Sequence, residues 1–243
     1  MLFPPQHITP LPLGGGAGGG ASMIIKVCGM REAQNIDDVA ALGVDLIGLI
    51  FYPRSRRYVS QLSTRAGIIP DKAGEGQNTV PVKKVGVFVD DMPQTILTRI
   101  VNYKLSYVQL HGNESPTMIE NLKRTLIPDF VPEIGIIKAL SVQSEEDVKR
   151  WRQYDGLVDY FLFDTKCPTV GGSGKRFNWD LLKAYDGNIP FLLSGGIGLE
   201  DLDDIKAFSH PMLAGYDLNS KFEDAPALKN VEKIKAFIEA VTP

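Results

Sequence analysis

"FLLSGGIGLEDLDDIKAF" (191–208) packs a whole structural unit into eighteen residues. A short apolar run ends in a serine, turns on glycines, and gives way to an amphipathic stretch. This reads as strand, loop, helix. The fold follows from how often the unit recurs. Apolar runs rich in Val, Ile and Phe lie at "IIKVCGM" (24–30), "LIGLIFY" (46–52), "KKVGVFV" (83–89) and "YVQLHG" (107–112). Further runs lie at "IGIIKAL" (134–140), "YFLFDTK" (160–166), "FLLSGG" (191–196) and "LAGYDLN" (213–219). Their starts are 22, 37, 24, 27, 26, 31 and 22 residues apart, each about one strand plus one helix.

Helical candidates occupy the intervals. "REAQNIDDVAAL" follows the first run, "SEEDVKRWRQY" the fifth, "LEDLDDIKAF" the seventh, and "ALKNVEKIKAFIEAV" closes the chain. Ser144 is placed to cap the second of these, ahead of an acidic first turn. Eight strand–helix units in one chain predict an α/β fold, a single (β/α)8 TIM barrel with eight parallel strands. A doubly wound open sheet usually stops at five or six strands.

The bulk composition narrows the function. Of 243 residues, 44% are hydrophobic, enough for a sizeable core, and the formal net charge is −3. That balance offers no basic surface for nucleic acid or an anionic membrane. No apolar run approaches the ~20 residues of a membrane helix. Two cysteines, Cys28 and Cys167, are too few for a disulfide framework and fit a reducing cytosol. Residues 1–22, "MLFPPQHITPLPLGGGAGGGAS", show no helical or strand period and read as a flexible leader, with the barrel over 23–243 and Met23 a plausible start. The Pro/Gly-rich stretch at 68–82 reads as an extended loop.

Polar residues gather where the strands end. They include Cys28, Arg57, Asp90, Asp91, Gln109 and His111, followed by Lys138, Asp164, Lys166, Ser194, Asp217, Asn219 and Ser220. Barrel enzymes build their sites at that end, from the βα loops. Strand ends are also polar simply because they meet solvent, but that explains loop residues better than Asp164 inside "FLFDTK". Glycines in "SGGIG" (194–198) and the turn "NSKFEDAPALKN" (219–230) occupy the two loops that commonly bind phosphate in this fold. "TVGGSGKRFNW" (169–179) lacks P-loop spacing and reads as a lid beside Asp164. No G-x-G-x-x-G follows the first strand, which argues against a dinucleotide.

In order along the chain, "KVCGM", "GLIFYPRSRRYVS", "VGVFVD", "VQLHGNES", "FLFDTK", "GGSGKRFNWDLL", "FLLSGGI" and "YDLNSKFE" resemble phosphoribosylanthranilate isomerase. The resemblance runs from Lys26 to about Asn230. It implies a cofactor-free, metal-free Amadori rearrangement in tryptophan biosynthesis, acting on a small phosphorylated substrate. It implies Cys28 as general base and Asp164 as general acid. Arg57 would bind the anthranilate carboxylate, and Gly195, Gly196, Asn219 and Ser220 the phosphate. Members occur as monomers, dimers and fusions, so a monomer or homodimer is expected.

The chemistry is consistent with those residue types. A carboxyl group titrates near about 3.9 when free, so a general acid must be held protonated by its surroundings. A free thiol titrates near about 8.5, so a thiol base must be helped to ionise. The bland readings are an inert core cysteine, an Asp164–Lys166 ion pair, and Arg57 as part of a solvated patch with Arg54 and Arg56. His111 reads as a pocket-lining residue without a catalytic role. The nearest enzyme alternative is another sugar-phosphate isomerase barrel, such as the histidine-pathway enzyme, which carries Asp where Cys28 stands. A non-catalytic barrel is the alternative outside enzymes. The chain departs from the family in two places. Lys221 stands where glycine is usual, and "PAL" (226–228) where Pro-Gly is common. A lysine in place of glycine would be strained if the loop needs positive φ.

Overall fold

The computed structural model describes residues 23–60, 82–125, 133–165 and 179–242. Eight parallel strands close into a barrel in chain order. They are β1 (Ile24–Cys28), β2 (Leu46–Ile50), β3 (Lys83–Phe88), β4 (Tyr107–Leu110), β5 (Gly135–Val142), β6 (Tyr160–Thr165), β7 (Phe191–Ser194) and β8 (Leu213–Leu218). Each of the eight apolar runs supplies one strand. β1 pairs with β8, which removes both sheet edges.

The leader 1–22, most of the 68–82 loop, Lys166, Cys167 and nearly all of the lid stretch 169–179 lie outside the described residues. No described helix is long and apolar enough to cross a membrane.

Among the described residues, six α-helices accompany the strands: α1 (Ala33–Ala40), α2 (Pro93–Tyr103), α3 (Pro116–Thr125), α4 (Glu145–Lys149), α5 (Leu202–Ala207) and α6 (Val231–Val241). Short 3-10 turns at Arg150–Tyr154, Trp179–Ala184 and Leu199–Asp201 fill out the helical layer. Ser144 caps α4 as its sequence indicated. Its hydroxyl accepts from Asp147 N while the Asp147 carboxylate accepts from Ser144 N at 3.0 Å.

The last segment differs from the sequence reading. Helix α6 begins only at Val231, because Asn230 caps it by accepting from Lys233 N at 2.9 Å. Leu228 and Lys229, read from sequence as helical, instead form β10, which pairs antiparallel with β9 (Glu223–Ala225). This hairpin follows β8 after a 3-10 turn at Ser220–Phe222 and brings Lys229 back against the barrel.

Alternation along the strands separates two cores. Ile24, Leu46, Val85, Tyr107, Ile137, Tyr160 and Leu192 fill the lower barrel interior. Phe161, Phe163 and Phe191 point outward and each meets Tyr185 edge to face beneath the helices, with the Phe163 and Phe191 centroids 5.1 Å apart. This alternation moves Lys138 out of the group of polar residues at the strand ends. Its neighbours Ile137 and Ala139 face inward, so Lys138 faces outward and is buried against Glu114, with Nζ–Oε2 at 3.0 Å. Lys138 also donates to the carbonyls of Leu110 and Gly112, and so fastens the β4 end. Its role is structural.

Candidate active site

Strand β1 contributes two inward side chains in succession, Lys26 and then Cys28. Lys26 is wholly buried inside the barrel, opposite Asp217 of β8 in register. Lys26 Nζ lies 2.6 Å from Asp217 Oδ1, and Ser194 Oγ donates to Asp217 Oδ2 at 3.0 Å. A lone ammonium here would be prohibitive, so the pair is what lets β1 carry a charge through the core. Burial opposes the charge of Lys26, but Asp217 and the neighbouring Cys28 raise its pKa above the ordinary value.

Cys28 sits one step nearer the mouth, where Gly48 of β2 leaves room for its sulfur. It carries a free thiol. Burial pushes that thiol up. Lys26 and Lys229 pull the other way, and Asp217 adds to the rise. The resting group is therefore a thiol, held within reach of two cations that favour its ionised form.

A cavity of about 170 Å³ opens above this floor. Cys28 and Asp164 both line it, from β1 and β6, which are three strands apart around the barrel. His111 also lines it. Its Nε2 lies 3.4 Å from Asp164 Oδ2, and its Nδ1 lies 2.9 Å from Gln109 Nε2. His111 thus bridges Gln109 and Asp164 through its two ring nitrogens. Gln109 is buried, and its Oε1 has no partner among the described residues.

The loops after β7 and β8 close the other side. Gly195 and Gly196 have φ of 93° and 70°, a left-handed pair suited to glycine that turns the chain from β7 towards α5. Both line the cavity together with Asn219 and Ser220. All four residues expected at a phosphate thus meet at one wall. Lys221 follows in a 3-10 turn, Ser220–Phe222, and its φ is not positive, so the loop does not require glycine there. Its ammonium pairs with Glu200 and lies 3.8 Å from Asp201 Oδ2, at the start of the α5 segment. The second departure does carry strain. Ala227, in the stretch where the family often has Pro-Gly, has φ of 70°.

Arg57 lies outside the cavity wall, draped over residue 29. A Cβ there would fall 2.5 Å from Arg57 Cδ and 2.9 Å from Asn219 Oδ1, and Gly29 has φ of 78°. Only glycine serves at that position. The guanidinium is held by Glu223, with Nε–Oε1 at 2.7 Å and Nη2–Oε2 at 2.6 Å.

Sequence reading alone missed Lys26, Glu223 and Lys229. A lysine two residues before Cys28 in an otherwise apolar parallel strand was the available signal, since such strands are buried on both faces. Among the described residues, no group of three or more His, Cys, Asp or Glu is placed to hold a metal ion.

Residues 25–240 match the family model for N-(5'-phosphoribosyl)anthranilate (PRA) isomerase. The chain is 48% identical over 219 residues to the N-(5'-phosphoribosyl)anthranilate isomerase of Parabacteroides distasonis, covering 90% of this chain and 93% of that one. It is 43% identical over 216 residues to that of Phocaeicola vulgatus, covering 89% and 96%. The phosphoribosyl anthranilate isomerase of Thermotoga maritima superposes with a TM-score of 0.72 at 30% identity, over 90% of this chain and 98% of that one. A phosphoribosyl anthranilate isomerase complexed with reduced 1-(o-carboxyphenylamino)-1-deoxyribulose 5-phosphate superposes at 0.71, with 29% identity and the same coverage.

Proposed function

The chain belongs to the N-(5'-phosphoribosyl)anthranilate isomerase family, enzymes of tryptophan biosynthesis, and we propose that it performs that isomerisation with Cys28 as general base and Asp164 as general acid. The observation that carries this reading is their placement. One thiol and one carboxyl line a single cavity from separate strands, and a transfer of two protons at different atoms needs two such groups.

Asp164 donates a proton to the ribose ring oxygen. The bond between that oxygen and C1 breaks, and the anthranilate nitrogen lone pair forms a C1=N bond. The C2 proton is now acidic, and the Cys28 thiolate removes it. Those electrons form a C1=C2 bond and return the nitrogen lone pair. Protonation at C1 and loss of the C2 hydroxyl proton then give the ketone. C1 is reduced as C2 is oxidised, so the step balances without an outside redox partner.

The remaining residues bind and orient. Arg57 takes the anthranilate carboxylate. Gly195 and Gly196, together with Asn219 and Ser220, take the phosphate from loops after β7 and β8. The unpartnered Gln109 Oε1 accepts from a sugar hydroxyl, relieving a buried orphan acceptor. His111 orients Asp164. Every group named comes from one chain, so a monomer or a homodimer carries a complete site, acting in the cytoplasm. Consumption of phosphoribosylanthranilate by the purified protein, followed by its fluorescence without added nucleotide or metal, tests the reading. A folded protein that leaves the substrate intact overturns it.

A further inference from the structure

Glu223 accepts from three sources at once. Its Oε1 receives Arg57 Nε at 2.7 Å, Lys229 Nζ at 2.6 Å and Ala227 N at 3.2 Å, while its Oε2 receives Arg57 Nη2 at 2.6 Å. Its carboxylate is 5% exposed. Lys229 is equally enclosed, and its ammonium also donates to Asn219 Oδ1 at 2.9 Å and to Asn219 O at 3.2 Å. The Lys229 backbone is fixed in turn by Asn35, which accepts its N–H at 2.7 Å and donates to its carbonyl at 2.9 Å. A continuous hydrogen-bonded chain thus runs from Arg57 through Glu223 and Lys229 to Asn219 at the cavity wall.

Two features of this chain bear on binding. A guanidinium has two edges that accept a carboxylate in bidentate fashion. Glu223 occupies the Nε–Nη2 edge, which leaves the Nη1–Nη2 edge for a second carboxylate. One carboxylate alone would cancel the charge of Arg57. Lys229 adds a second cation, so the cluster of Arg57, Glu223 and Lys229 carries a net positive charge and still favours an anion. Burial would raise the Glu223 pKa, but hydrogen bonds from Arg57 and Lys229 hold it below the ordinary carboxylate range.

We propose that Glu223, with Lys229 behind it, is the positioning residue for substrate recognition. It locks Arg57 so that its free edge meets the anthranilate carboxylate, and it ties that contact to Asn219 at the phosphate end. The hairpin β9–β10 then works as a spacer that fixes the distance between the two anionic ends of the ligand. This rests on the reading of Arg57 as the carboxylate clamp.

The test uses Glu223→Gln and Glu223→Asp in the full chain. Two probes are titrated: reduced 1-(o-carboxyphenylamino)-1-deoxyribulose 5-phosphate, and its phenylamino analogue lacking the carboxylate. Glu223→Gln makes the cluster more positive, so a purely electrostatic role would tighten the carboxylate ligand; loss of the Arg57 orientation is instead expected to weaken it by ~10-fold or more. Binding of the phenylamino analogue should stay unchanged. KM should rise while kcat holds, and Glu223→Asp should recover part of the loss. Equal weakening of both ligands, or a fall in kcat alone, overturns the proposal. If wild type itself binds both ligands equally, the carboxylate clamp at Arg57 fails instead. Thermal melts identify a variant that fails to fold, and Glu223→Asp then supplies the same comparison.

Discussion

Lys26 Nζ lies 2.6 Å from Asp217 Oδ1 inside the barrel, with Cys28 next along the same inward face of β1. The thiol thus stands over a buried ion pair and responds to each half of it with opposite sign. Lys26 favours the thiolate and Asp217 opposes it.

Removing either half should move the Cys28 pKa in opposite directions. Lys26→Met raises it and Asp217→Asn lowers it. Ultraviolet thiolate absorbance in a Cys167→Ser background reads this directly. Each change also leaves a buried partner uncompensated, so a loss of about 3–5 kcal/mol of stability is expected for Lys26→Met. Shifts of the same sign in both variants would mean the pair acts only as a brace.

The pH profile follows from the same site. Burial raises the Cys28 pKa, and the proposed mechanism needs the thiolate. The base is therefore largely protonated at neutral pH and gains activity as pH rises through its pKa. The acid-side limb of kcat/KM should lie above the ordinary thiol value of about 8.5. A limb well below that value, measured on wild type, would contradict the burial argument.

Lys221→Gly should not stabilise the protein, although glycine is the usual residue there. The position lies in a 3-10 turn without positive φ, so glycine gains no strain relief and adds chain entropy. The half-exposed pair with Glu200 contributes little. Chemical denaturation should show a loss of about 1 kcal/mol or less. A gain in stability would place the loop in a conformation other than the one seen.

Much of this was readable in the sequence, for identifiable reasons. Parallel strands buried on both faces write themselves as apolar runs, so "FLFDTK" and "FLLSGG" declared β6 and β7 and placed Asp164 and the glycine turn at their ends. The Lys138 misplacement came from reading position along the strand without its parity. Ile137 and Ala139 face inward, so Lys138 cannot. Lys26 was hidden because one lysine among Ile and Val looks like noise until its partner, 191 residues later, is beside it. Glu223 and Lys229 were hidden because a hairpin of so few residues has no period to detect.

The central claim, that Cys28 and Asp164 exchange the two protons of the isomerisation, rests on one comparison. Turnover of phosphoribosylanthranilate is measured for wild type, Cys28→Ser and Asp164→Asn under identical conditions, with no added metal or nucleotide. Each substitution should lower kcat by ~100-fold or more while KM changes little, the usual worth of a general acid or base. Cys28→Ser with kcat near wild type would contradict the account, because the proton on C2 would then have to go to another group.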